Sequence, residues 1–152
     1  KPPPKPKAEI FEPQRATEHH RADMSNEVQN SRDPLTEKVI GCAIEVHRIL
    51  GPGLLESAYQ RCLAIELRNS GLQFETELPM PVRYKNEILD CGYRADMLVE
   101  KSLILELKAV EAILPIHQAQ LLTYMKLSGI HLGLLINFHQ TRLIDGLKRF
   151  IL

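Results

Sequence analysis

Residues 101 to 110 read Lys-Ser-Leu-Ile-Leu-Glu-Leu-Lys-Ala-Val, a stretch apolar on both faces of an extended strand that still carries an acid, Glu106, and a base, Lys108. A strand that is apolar on both faces belongs in the middle of a sheet covered on both sides. Side chains two apart on a strand share a face, so Glu106 and Lys108 project together while Leu105 and Leu107 point the other way. Charges that a central strand turns inward must be paired or hold a metal. Asp96, ten residues before Glu106, falls on what reads as the neighbouring strand, so two carboxylates and one ammonium converge. A divalent cation held by Asp96 and Glu106 could bind a phosphate oxygen and acidify a water, while Lys108 would orient that water or offset charge developing on phosphorus. That is the chemistry of phosphodiester hydrolysis. Glu-x-Lys by itself is common on solvated strands, and it is the apolar flanks that set this one apart.

The rest of the chain supplies a fold around that strand. Asp33 and Pro34 suit an N-cap and a first helical turn. Val39, Cys42, Ala43, Val46, Ile49 and Leu50 then recur at helical steps, predicting a helix from about 34 to 50. Gly51-Pro52-Gly53 stops it, and residues 54 to 69 carry a second helical pattern ending at Ser70-Gly71. From 74 to 84 the chain is strand-like but irregular or an edge, because of Pro79 and Pro81. A turn at 85 to 87, a strand from about 88 to 99 and a short turn at 100 and 101 lead into the strand bearing Glu106 and Lys108. Pro115 opens a third helix closed by Gly129, residues 131 to 138 form a buried strand, and the last dozen residues fit a short strand or a helix. This order gives an α/β sandwich in which an antiparallel meander is extended by a helical crossover to a further strand, with both acid-bearing strands near its middle.

At 152 residues the chain holds one ordinary domain. Residues 1 to about 33, rich in proline and mixed charge, read as a disordered or extended leader, and 34 to 152 as the folded domain. The chain opens on Lys rather than Met, which suggests a trimmed or partial chain. There is no apolar run of about 18 residues to cross a bilayer and no apolar signal-peptide core, so a cytoplasmic protein without a membrane partner is expected. Cys42, Cys62 and Cys91 form no CxxC pair and are expected to be reduced, half-buried packing residues. The formal net charge of zero argues against coating nucleic acid by bulk electrostatics, although Arg83, Lys85, Arg94 and Lys126 are among the cations that a local basic groove would draw on.

Other residues are placed to complete a site. Glu56 heads a stripe continued by Tyr59, Leu63 and Leu67, which makes it either a first-turn acid favoured by the helix dipole or a ligand aimed into a cleft. Gln120 and Tyr124 are four apart on the third helix, with His117 a turn earlier, and share a face. The bland alternative makes Tyr124 a core aromatic and Gln120 ordinary helix surface. His47, His131 and His139 show no metal-site spacing.

Together these residues carry a resemblance. Gly53-Leu54-Leu55-Glu56-Ser57-Ala58-Tyr59 resembles the signature that names the GxxExxY family of the PD-(D/E)XK nuclease superfamily. Gly92-Tyr93-Arg94-Ala95-Asp96, Glu106-Leu107-Lys108 and Gln120-Leu121-Leu122-Thr123-Tyr124 are similar to the Asp, Glu-x-Lys and Gln-x-x-x-Tyr elements of its RecB-like branch. Ala95 stands where the superfamily name has proline, a position that varies widely in the superfamily. The resemblance spans about residues 35 to 152 and implies a restriction-endonuclease-like α/β core with a central mixed sheet flanked by helices. It further implies that Asp96 and Glu106 bind Mg²⁺ or Mn²⁺, with Glu56 and the Leu107 carbonyl completing the ligand set. Lys108 then assists the attacking water, and Gln120 and Tyr124 position the lysine or the substrate backbone. The implied activity is a deoxyribonuclease leaving 5′-phosphate and 3′-hydroxyl ends, in repair or defence, with DNA as substrate and RNA left open. Two other readings stand beside it. One is a non-catalytic module that keeps the fold and binds nucleic acid or protein, and a neutral nuclease would itself use a protein partner to supply substrate recognition. The other is a purely structural α/β domain, disfavoured because two acids and one lysine buried without neutralisation cost several kcal/mol.

Overall fold

The computed structural model describes residues 33–152. The expected leader, apart from Asp33, lies outside the described residues. Helix α1 spans Pro34–Leu50, with Pro34 in its first turn and the Asp33 carboxylate accepting the Thr36 N–H at 3.1 Å. Gly51 ends it with φ of 67°, a left-handed value that glycine adopts without Cβ strain. Helix α2 spans Glu56–Asn69, two residues later than the apolar pattern predicts. The Leu54 N–H is donated instead to the Tyr59 hydroxyl at 3.2 Å, which holds this short segment outside the helix.

Strands β1 (Phe74–Pro79), β4 (Arg94–Val99), β5 (Leu103–Lys108), β6 (Leu132–Asn137) and β7 (Leu147–Ile151) form one sheet in the order β1-β4-β5-β6-β7. The acid-bearing strands are therefore internal, with β5 at the centre. Neighbouring pairs are antiparallel except β5 and β6, which run parallel and are connected by helix α3, Pro115–Ser128. The last dozen residues resolve into a single-turn 3₁₀ segment, Leu143–Gly146, followed by β7.

One expected element is replaced by two. The continuous strand over 88 to 99 is split into β3 (Glu87–Leu89) and β4, and β3 pairs only with β2 (Val82–Tyr84) in a separate hairpin. The break has a local cause. Asp90 Oδ1 accepts the Gly92 N–H at 3.0 Å, and Gly92 takes φ of 78°, a side-chain-closed turn that a strand cannot contain. The cysteine expectation also needs correction, because Cys42 is buried and Cys62 half-buried, whereas Cys91, in this turn, is exposed.

Two apolar layers sandwich the sheet. On one face α1 and α2 place Val39, Val46, Leu63 and Leu67 over Met97, Leu105, Leu107 and Ile136. On the other, α3 places Leu121, Tyr124 and Met125 over Leu98, Ile104 and Leu135. Among the described residues no helix is long and apolar enough to cross a membrane.

Glycine is needed where β7 begins. A Cβ on Gly146 would collide with the backbone carbonyl of Asn137 and crowd the Gln140 side chain. Gly146→Ala is therefore expected to destabilise the protein by about 1–3 kcal/mol, the usual range for overpacking against unyielding neighbours. Urea unfolding checks this, and an unchanged midpoint would contradict it.

Candidate active site

The ladder between β4 and β5 pairs Val99 with Leu103, Leu98 with Ile104 and Met97 with Leu105. Beyond Met97, carboxylates take over the role of the ladder. The Leu107 N–H donates to Asp96 Oδ2 at 2.7 Å, and the Asp96 N–H donates to Glu106 Oε1 at 3.1 Å. Each acid thus holds a backbone amide on or beside the other's position, and the two are interlocked across the gap. On its opposite edge β5 stays paired with β6 as far as Lys108 and Asn137, which keeps the Glu106 strand rigid.

Burial makes this lock electrostatically expensive. Glu106 is 3 % exposed, and Asp96 and Lys108 are half-buried. Desolvation is the main cause that raises the Asp96 carboxyl to about 6, opposed by the Leu107 N–H and by the charge of Lys108. Desolvation again, reinforced by the neighbouring Asp96 charge, raises Glu106 to about 8. Glu56 adds a smaller push to both. Both shifts favour the protonated forms, so the pair resists carrying two negative charges at once.

The other sequence-derived residues are placed as follows. Tyr124 is buried, and its hydroxyl accepts from Gln120 Nε2 at 2.8 Å. Desolvation raises the phenol, and the charges of Glu106 and Asp96 add to the shift, so this hydroxyl lies within electrostatic reach of the acidic pair. Gln120 is linked to the site through Tyr124. Glu56 is exposed at the start of α2 and acts on the pair at longer range through its charge. His117 faces a different task, its Nδ1 accepting the Leu114 N–H at 3.0 Å where α3 begins.

Tyr59 shapes the approach to Glu56. Its ring stacks on Phe138 with centroids 4.4 Å apart, and its hydroxyl donates to the Gly51 carbonyl at 2.6 Å while accepting from Leu54. These contacts fix the loop that launches α2. Three more residues belong to the surroundings and were missed in the sequence. The Asn137 amide is fully buried and clips β6 to the end of β5, donating to the Val110 carbonyl at 2.8 Å and accepting the Val110 N–H at 3.1 Å. Gln60 Nε2 donates to the Asp96 carbonyl at 3.1 Å and to Glu77 Oε1 at 2.9 Å. Gln60 stands four residues after Glu56, a spacing that puts both on one helix face and was the available signal for it. Asn137 and Glu77 carry no comparable signal.

Residues 33–150 match the sequence pattern of the PD-(D/E)XK nuclease superfamily, and the mixed sheet flanked by three helices is consistent with its restriction-endonuclease-like fold. The chain belongs to the PD-(D/E)XK nuclease superfamily. No curated protein and no solved structure matched it. Nucleases of this superfamily typically use divalent metal ions, and the acidic pair fits that need. Its donors are hard oxygens, its burial penalises two negative charges, and a divalent cation would relieve that penalty. Among the described residues no group of three His, Cys, Asp or Glu side chains is close enough to hold an ion. Asp96 and Glu106 would thus be joined by backbone or water oxygens unless Glu56 moved inward.

A dependence of stability on pH follows for this PD-(D/E)XK protein when free of metal. Both carboxyls lie above the ordinary carboxylate range, so the folded state binds protons that the unfolded chain has released. Their contribution is complete below the unfolded values near pH 4, and is lost as pH rises through about 6 for Asp96 and about 8 for Glu106. The midpoint is expected to fall by about 5–10 °C between pH 5.5 and 8.5, corresponding to about 1–2 kcal/mol in a domain of this size. Glu106→Gln should flatten that slope. Thermal melts in chelator would show parallel curves for the two proteins if this assignment of charge were wrong.

Proposed function

We propose that the protein is a Mg²⁺- or Mn²⁺-dependent deoxyribonuclease of the GxxExxY type, within the RecB-like branch, acting in the cytoplasm. The observation that carries this reading is the interlocked, desolvated Asp96 and Glu106 pair at the end of the β4–β5 ladder, with Lys108 on the same strand face as Glu106. A divalent cation bound there supplies positive charge to the two carboxylates and to a phosphate oxygen, and lowers the pKa of a water.

The chain's own groups would do the rest. Asp96 and Glu106 hold the cation, with the Leu107 carbonyl and Glu56 as further oxygen donors. Lys108, near the pair but outside ion-pair contact with it, would orient the attacking water and offset charge developing on the phosphoryl group. Because Gln120 donates to the Tyr124 oxygen, the tyrosine keeps its own proton to donate toward lysine-bound water or the substrate backbone. The buried layers on both sides of β5 keep these groups in fixed rotamers, which favours in-line geometry. With a net charge of zero, the protein would draw on a partner protein to bring DNA to the site.

The second reading, a non-catalytic nucleic-acid- or protein-binding module that retains the nuclease fold, is favoured by the pair's lack, among the described residues, of a third His, Cys, Asp or Glu side chain to complete a metal-holding group. Incubation with single-stranded and duplex DNA, with and without Mg²⁺ or Mn²⁺, distinguishes the two. Cleavage is expected only with metal, and Asp96→Ala or Lys108→Ala should each lower it by roughly 10²-fold or more. Cleavage that persists in both variants would place the chemistry elsewhere. Calorimetric Mn²⁺ binding that collapses in Glu106→Gln supports a catalytic site, whereas its absence in the wild type favours the binding module.

A further inference from the structure

Among the described residues, four other than glycine have positive φ: Glu77, Lys85, Glu100 and Lys101. The last three lie in the turns between β2 and β3 and between β4 and β5, where such values are ordinary. Glu77 is different, because it adopts φ of 53° inside strand β1. It also stands opposite Asp96, between the pairs Thr76 with Met97 and Leu78 with Ala95.

At this point both strands change the face they bury. Phe74 packs with the layer under α1 and α2, yet Leu78, four residues on and of the same parity, packs with the layer under α3. Met97 and Val99 belong to the first layer, and Ala95 to the second. A regular pleat cannot produce this exchange, and the left-handed residue supplies the twist. The reversed segment is tied to α2 by one side chain. Gln60 Nε2 donates both to Glu77 Oε1 at 2.9 Å and to the Asp96 carbonyl at 3.1 Å. Strain of this kind persists only where surrounding contacts enforce it, and such places concentrate at working sites.

We infer that Glu77 and Gln60 are positioning residues for Asp96, a bridge that fixes β4 where it leaves the β5 ladder and aims the Asp96 carboxylate across to the Leu107 amide. The inference rests on the nuclease reading for its purpose, but its geometry is independent of metal. Neither residue touches the reacting atoms. Helix α2 thereby serves the site twice, through the charge of Glu56 at its first position and through the Gln60 amide one turn later.

The test compares wild type, Glu77→Gly, Glu77→Gln and Gln60→Leu in the full chain, by Mn²⁺ calorimetry, thermal melting and amide hydrogen exchange at Leu107. Glycine accepts the left-handed backbone without strain, so Glu77→Gly should melt at the same temperature as wild type or higher. Its Mn²⁺ affinity should nevertheless fall about tenfold, as should that of Gln60→Leu, the usual scale for residues that orient ligands. Glu77→Gln keeps an oxygen to accept the Gln60 amide and should stay within about twofold of wild type. Exchange at Leu107 should quicken about tenfold in Glu77→Gly and Gln60→Leu without metal, since a mobile Asp96 guards that amide less well. A lower melting temperature with unchanged affinity and unchanged Leu107 protection would reduce the bridge to a structural contact and overturn the inference. If wild type binds no Mn²⁺, the metal reading fails separately, and Leu107 exchange decides the bridge on its own.

Discussion

Two hydrogen bonds from backbone amides to carboxylates, Leu107 to Asp96 and Asp96 to Glu106, hold the place where the β4–β5 ladder ends inside the sheet. An ordinary ladder would satisfy those amides with carbonyls and leave both side chains free to seek solvent. Here the side chains are the partners, so separation of the strands and convergence of the acids are one event. The charge so gathered is uncomfortable, as the upward displacement of both carboxyls shows. A rigid platform makes that arrangement tenable. β5 is paired on its far edge through Lys108, Asn137 clips the end of β6 to Val110, and apolar layers close both faces.

Much of this was legible in the sequence because burial writes itself into composition. Residues 103 to 108 are apolar on both faces, and they form the central strand. Asp33, Pro34 and Gly51 mark the limits of α1 by local chemistry that depends on no distant contact. The crossover through α3 follows from a strand, a helix and another strand in sequence. The expected strand over 88 to 99 fails at its start, because the apolar Ile88 and Leu89 are exposed in a hairpin outside the main sheet. An apolar side chain signals that burial is favourable, and only the fold decides whether it is reached. The turn at Asp90 and Gly92 was the better guide there.

At the site, sequence reasoning reached residues whose chemistry is their signal and missed those whose role is geometric. Asp96, Glu106 and Lys108 were visible as charges in an apolar setting. Gln60 and Glu77 resemble surface residues, and what distinguishes them is one shared hydrogen-bonded nitrogen and one backbone angle. Tyr59 shows the same division. Its helical spacing marked it as core, but its stacking on Phe138 and its hydroxyl bridge between Gly51 and Leu54 are tertiary facts. They give the Gly53-to-Tyr59 segment a physical sense, because the tyrosine that ends it pins the loop from which Glu56 emerges.

A structural reading of the charged cluster has to explain why it is so poorly neutralised. Among the described residues, Asp96 and Glu106 form no ion pair within 4.0 Å, and Lys108 reaches them only as a more distant positive charge. A cluster kept for stability would be expected to bring its cation into contact, since a buried charge left without a close partner costs several kcal/mol. Apolar residues at 96 and 106 would serve the two cores better. The amide hydrogen bonds recover part of the desolvation penalty, but they leave oxygen lone pairs on both carboxylates and a mutual repulsion that protonation or a bound cation would relieve. A cation bound between them would relieve the desolvation and the repulsion together, which is the property the proposed metal-dependent activity calls for.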